Sequence, residues 1–237
     1  MLTGIGSTIP RIANLPGPSR PGGGGGGPFE YTAIDNNYSM EFDGTSDYID
    51  AGQISAMNGT SDYTISLWFN ADGTAPVTNK RILSTQSSSA SPGADIYFDN
   101  GTGILSARIG WSSGSTGYAL NTSLTSGLPN DAWHHLVIVV DIVGLNYTAY
   151  IDNGTGIVVN RASFSMSGTF EDLKIGSYGT GATSFWNGYI DEVAIWNTKL
   201  SEPTIEAIYN TTNDNPGKVA DLSETPEGVP VAWYRFE

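Results

Sequence analysis

The feature that most constrains this chain is a recurring pattern. Short segments alternate apolar with polar residues, and each closes on a Gly, Asn or Asp turn signal. Tyr63, Ile65, Leu67 and Phe69 alternate with Thr64, Ser66 and Trp68, and a period of two places successive side chains on opposite faces of a strand. Met40 and Phe42 lead into Asp43-Gly44-Thr45-Ser46, with Tyr48-Ile49 beyond it. Ile82-Leu83, Ile96-Tyr97-Phe98, Ile104 to Ile109, Tyr147 to Ile151, Leu173-Lys174-Ile175 and Gly188 to Trp196 read as further strands. Asp99-Asn100-Gly101 and Asp152-Asn153-Gly154 are hairpin signals. His135 to Val140 is the most apolar segment and is expected at the centre of a sheet. Only Ser201 to Tyr209 reads as helix, with Ser201 as N-cap, Pro203 in the first turn and Ile205 and Ile208 on one face. Such a chain buries sheet against sheet. Leu67, Phe69, Ile138 and Val140 are therefore expected in the space between them.

Composition removes several function classes. Asp and Glu number 24 against 10 Lys and Arg, a formal charge of −14, and the only adjacent basic pair is Lys80-Arg81. Nucleic-acid binding needs clustered cations to neutralise phosphate, and this chain has none. It has no cysteine, so disulfides, thiolate metal sites and a Cys nucleophile are excluded. No apolar run approaches the about 18 residues that argue for a membrane helix, so no membrane insertion is expected. Met1 to Ile9 lacks the basic and apolar regions of a secretory signal.

Three regions follow from the pattern. Residues 1–30 hold Pro10, Pro16, Pro18, Pro21 and Pro28 around six consecutive glycines, Gly22 to Gly27, and read as an extended arm. Residues 31–212 hold the strands and the helix. Residues 213–237 read as an extension with a final strand, Val231 to Phe236, and the native chain is expected to continue beyond Glu237. Two tryptophans, Trp111 and Trp186, sit among Gly and Ser near loops and are the candidates for stacking on a pyranose ring. Trp68 and Trp196 read as core or face aromatics. His134 and His135 are neighbours on a strand and point to opposite faces, so one ion cannot easily take both.

Five segments, in order, carry a family resemblance: Met40-Glu41-Phe42-Asp43-Gly44 with Asp47-Tyr48-Ile49; Tyr63 to Phe69; Trp133-His134-His135-Leu136-Val137; Tyr150-Ile151-Asp152-Asn153-Gly154; and Gly188 to Trp196 followed by Leu200-Ser201. Over roughly residues 36–210 the chain resembles the laminin-G-like, pentraxin-like branch of the concanavalin A-type lectin-glucanase sandwiches. The resemblance implies an all-β, two-sheet antiparallel jelly roll, here with an extended N-terminal arm and one short C-terminal helix. It also implies one structural calcium ion held by Asp43 and Asp191 with help from Asp47. The competing reading has Asp43 closing an Asx turn and Asp191 accepting backbone N–H bonds. Glycosidases of this fold carry Glu-x-Asp-x-x-Glu, and here Glu41-x-Asp43 is followed by Ser46. No Gly-x-Ser-x-Gly elbow is present, so no catalytic residue is expected.

The functional expectation combines the missing export signal, the absence of cysteine and the arm. An arm of this composition is ordered only where a partner repays its entropy, and Ile5, Ile9, Pro10 and Ile12 can add to a neighbour's sheet edge. The first reading is a non-enzymatic virion structural protein of a tailed bacteriophage: a head decoration, fibre or tail accessory protein. Its partners would be other virion proteins, copies of itself in the particle and a host surface glycan. The alternative is an extracellular carbohydrate-binding or adhesion module of a larger secreted bacterial protein.

Overall fold

The computed structural model describes residues 29–57, 61–73, 79–86, 93–99, 103–109, 122–125, 128–160, 170–179 and 183–236. Its strands are β1 (Ala33–Asp35), β2 (Met40–Asp43), β3 (Ile49–Gly52), β4 (Tyr63–Ala71), β5 (Lys80–Ser84), β6 (Ala94–Phe98), β7 (Leu105–Ile109) and β8 (Thr122–Thr125). These are followed by β9 (Trp133–Asp141), β10 (Asn146–Ile151), β11 (Ile157–Asn160), β12 (Leu173–Ile175) and β13 (Asn187–Trp196). Helix α1 (Glu202–Asn213), β14 (Lys218–Ala220) and β15 (Ala232–Tyr234) complete the order. Among the described residues no helix is long and apolar enough to cross a membrane.

Apart from the two-stranded β1-β14 sheet, the strands form two antiparallel sheets packed face to face, the sandwich that the alternation requires. The larger runs β11-β10-β9-β4-β13-β15, and β2 also pairs with β13. The smaller runs β3-β12-β5-β6-β7-β8. Between them lie Leu67, Phe69, Ile138 and Val140, each no more than 1% exposed, with Ile96, Ala107, Ile175 and Ile190. Gly176 lies close under the Phe42 ring with φ +85°, and a Cβ there would collide with that ring.

The outer face of the larger sheet is covered by a second apolar cluster. Val137, Val139, Ala194 and Trp196 pack there against Ile205 and Ile208 of α1, and against Tyr31, Ala220 and Leu222. Ser201 is extended (φ −77°, ψ 154°) and takes the N-cap position, although its hydroxyl caps nothing. Instead the Glu227 carboxylate accepts from the Ser201 N–H at 2.9 Å and the Thr204 hydroxyl at 2.8 Å. Packing carries α1 four residues past Tyr209, the end read from the sequence.

Residues 213–236 pack onto the sandwich and carry the final strand, β15. Strand β14 pairs with β1, and β15 extends the larger sheet. Strands β2 and β15 share one edge of β13: β2 takes residues 187–190 and β15 takes 193–195. Between them a bulge in β13 leaves Asp191 and Glu192 facing the junction, with Glu192 at φ +51°.

Candidate functional site

The outer face of the smaller sheet has no helix over it among the described residues, and its side chains are polar. The register sets Asp50 beside Lys174, Lys174 beside Ser84, Ser84 beside Asp95, and Asp95 beside Arg108. This gives a row across five strands with an acid–base pair, Asp50–Lys174 and Asp95–Arg108, on either side of Ser84. A second row pairs Arg81 with Tyr97 and Tyr97 with Ser106. Arg81 grips Asp95 with a two-pronged fork, Nε to Oδ1 at 3.1 Å and Nη2 to Oδ2 at 3.2 Å. Its guanidinium is sandwiched between the Tyr97 and Tyr178 rings, 4.8 and 4.7 Å from their centroids. Arg108 also lies over the Tyr97 ring, 4.8 Å from its centroid, with Nη1 3.7 Å from Asp95. Lys174 binds Asp50 at 2.7 Å, and this hydrogen bond lowers the Asp50 pKa. Burial raises the Tyr97 and Tyr178 hydroxyls above their ordinary range.

The sequence reading missed this cluster. Its signal was present: in a chain with only 14% charged residues, Arg81, Asp95, Arg108 and Lys174 all fall at strand positions. Arg81 is fixed as the floor. Arg108 is the more exposed of the two arginines, with a side-chain exposure of 16% against 7%. Asp95 and Tyr97 are fully buried, so what the cluster presents to a polyhydroxylated or carboxylated ligand is the planar donor of Arg108 and the edge of Tyr178, both partly exposed.

The residues chosen from sequence are placed differently. Asp43 lies opposite Asn187 and Asp191 lies four residues further along β13, about 13 Å at strand rise. Asp43 accepts at Oδ1 from the Thr45, Ser46 and Asp47 N–H groups and at Oδ2 from the Thr45 and Ser46 hydroxyls. Desolvation works against ionisation, but these bonds hold its carboxyl well below the usual range. Asp47 returns a bond to the Asp43 N–H at 3.2 Å. Asp191 is 6% exposed and accepts from Asn36 Nδ2 at 2.8 Å and from the Glu192 N–H at 2.8 Å. Asp43, Asp47 and Asp191 therefore do not fit one shared calcium ion: each carboxylate is engaged locally, and the outer pair is held apart along the strand. Among the described residues no group of three or more His, Asp or Glu is arranged to hold a metal.

Trp186 is also corrected. It is 1% exposed and packs against Phe69 and Phe98 between the sheets, so it offers no face to a sugar. Glycine and serine neighbours suggested a surface loop, yet the backbone enters β13 here and turns the ring inward. Trp111 and the arm residues Ile5, Ile9, Pro10 and Ile12 lie outside the described residues.

Two buried polar arrangements resemble catalytic groups in composition. Ser66 Oγ lies 2.8 Å from His135 Nε2. Both residues are no more than 2% exposed, and the His135 ring stacks on Trp68 beneath α1, next to Tyr209. Asp152 contacts the His135 backbone N–H, not the ring, so among the described residues no carboxylate bonds the His135 ring. Burial lowers the His135 pKa to about 4. His134 faces the other way: Nδ1 meets Asp152 at 2.7 Å and Nε2 meets the Pro129 carbonyl at 3.0 Å. A ring with acceptors at both nitrogens is a structural imidazolium. Its pKa is raised, because Asp152 and Pro129 outweigh desolvation.

The second arrangement is the pair Asp191 and Glu192 at the bulge. Glu192 accepts from Trp233 Nε1 at 2.7 Å and from Arg235 Nε at 3.3 Å. Burial raises both carboxyl pKa values, and for Glu192 the neighbouring Asp191 raises it further. The pair holds β15 and residue 36 to β13.

Solved structures with this sandwich bear on the assignment. The CBM40 module of the Ruminococcus gnavus IT-sialidase matches with a TM-score of 0.52 and 11% identity, covering 69% of this chain and 91% of the module. The same module bound to α2,6 sialyllactose matches with a TM-score of 0.56 over 76% of this chain and 98% of the module. The NanB sialidase from Streptococcus pneumoniae matches with a TM-score of 0.54 and 17% identity, covering 74% of this chain but only 28% of that enzyme. No curated protein matches by sequence. The fold is thus that of lectin-like carbohydrate-binding domains, several of them attached to sialidases. The family model for the concanavalin A-like lectin/glucanases superfamily matches residues 43–206, more than half of the chain, and the protein belongs to that superfamily.

Proposed function

We propose that this protein is a non-catalytic carbohydrate-binding module that receives a glycan on the outer face of its smaller sheet and works outside the cell. The observation that carries this reading is the Arg81–Asp95–Arg108 cluster with Tyr97 and Tyr178. Arg81 and Asp95 are buried, and their shared carboxylate holds Arg108 partly exposed at the surface of the sheet. Such a cluster hydrogen-bonds sugar hydroxyls and takes a sugar carboxylate on a guanidinium fork. The sialyllactose bound by the R. gnavus module makes a sialylated glycan the first probe.

The virion reading depends on residues 1–30, of which 1–28 lie outside the described residues, and the structural relatives favour the module reading. The test is calorimetric titration with sialyllactose, followed by a wider glycan panel, on the wild type and Arg108→Ala. The expected outcome is measurable binding that weakens by about tenfold or more in the variant, the loss of one charge-assisted contact. Absence of binding to every glycan, or equal binding by Arg108→Ala, overturns the assignment.

A further inference from the structure

The larger sheet carries an outward patch beyond the reach of α1. The register places Glu41 beside Tyr189, Tyr189 beside Asn70, and Asn70 beside Trp133. All four occupy the outer face, because Met40, Phe69 and Ile190 alternate with them into the core. Trp133, Tyr189 and Asn70 are partly exposed and Glu41 is exposed. Strands β9 and β13 flank β4, so their backbones are about 10 Å apart. The Trp133 and Tyr189 ring centroids are only 6.4 Å apart, at 43°. The rings therefore lean together over Asn70 and form a shallow aromatic shelf.

Polar groups surround that shelf. Among the described residues, neither the Asn70 amide nor the Trp133 indole N–H has a side-chain hydrogen-bond partner, whereas Tyr189 Oη reaches Glu41 only at 3.5 Å. Glu41 and Asp72 are close enough to raise the Tyr189 hydroxyl, after burial as the main cause. Aromatic faces beside amide and carboxylate groups suit the apolar C–H face and the hydroxyl edge of a sugar ring. The acidic rim repels a carboxylated sugar, the reverse of the arginine-bearing sheet. The rings form a shelf and do not enclose a point, as an ammonium cage would.

We infer that Trp133 and Tyr189, with Asn70 and Glu41, form a second binding site on the larger sheet that takes a neutral pyranose. It stands on residues separate from those of the first site. The experiment follows the indole N–H resonance of Trp133 in the full chain while lactose, cellobiose, sialyllactose and choline are added separately. Lactose or cellobiose should shift that resonance, and Trp133→Ala or Tyr189→Ala should weaken neutral-sugar binding by about tenfold. Trp133→Phe, which keeps a stacking face, should retain most of it and guards against a folding defect. Arg108→Ala should leave this response intact, so failure of the first site is read separately. A resonance that no neutral sugar moves, or that only choline or only sialyllactose moves, overturns the inference. So does full neutral-sugar binding by a folded Trp133→Ala.

Discussion

Asp95 decides the character of the smaller sheet's outer face. It is 0% exposed and is the carboxylate toward which both Arg81 and Arg108 turn. Removing one partner of a buried ion pair leaves the other charge desolvated and unmatched, which costs more than the pair itself contributes. Asp95→Ala should therefore lower the unfolding free energy in urea by about 3–5 kcal/mol. Replacing Arg81 and Asp95 together by apolar residues of similar volume should recover most of that loss and abolish glycan binding. Recovery of stability without function would separate the two roles of the cluster. An Asp95→Ala protein as stable as the wild type would mean that Arg81 is not held by this carboxylate.

Among the elements, β13 is the one whose local irregularity has a measurable consequence. Its bulge turns Asp191 and Glu192 into the junction between β2 and β15, where burial raises both carboxyl pKa values. A raised carboxyl means that the folded protein retains a proton the unfolded chain has released. Stability from this source is present in acid and declines as pH rises from the ordinary carboxylate range towards neutrality. One proton of difference corresponds to about 1.4 kcal/mol per pH unit. Glu192→Gln should flatten the fall in stability over that window, read from urea unfolding at successive pH values. His135 acts in the opposite sense: its lowered pKa costs stability as pH falls from about 6.5 towards 4. An unchanged slope in Glu192→Gln would mean that Glu192 is ionised throughout.

At the scale of the whole molecule, the two ends of the described chain close on each other. Strand β1 pairs with β14, and Glu224 accepts from the Thr32 N–H and hydroxyl. Arg235 reaches the Asp35 carbonyl, and Asn36 reaches Asp191. Strands β1, β14 and β15 lie outside residues 43–206, the span matched by the family model. A chain beginning at Phe29 should keep its melting temperature, since it retains every contact among the described residues. A chain ending at Gly228 loses β15, Trp233 and Arg235 and leaves Glu192 without its main partners. Its melting temperature should fall by on the order of 10 °C. Equal melting of the wild type and the shorter C-terminal truncation would show that β15 is dispensable.

The sequence by itself determined the longer strands, the start of the helix and the core, but not the short strands β1, β8 and β14. Alternation at Tyr63 to Phe69, the apolar run at His135 to Val140 and the Ser201-Glu202-Pro203 helix start are local signals, each decided within a few residues. The opposite orientations of His134 and His135 were legible for the same reason. Tertiary structure alone decided the sites. Trp186 turned inward, Asp43 and Asp191 were held apart, and Arg81, Asp95 and Arg108 met across three strands. Glu41, Tyr189, Asn70 and Trp133 were aligned in the same way across four. All of these depend on register between strands distant in the chain. A slip of one residue moves every side chain of a strand to the opposite face, and no local pattern encodes which residue of a remote strand lies alongside.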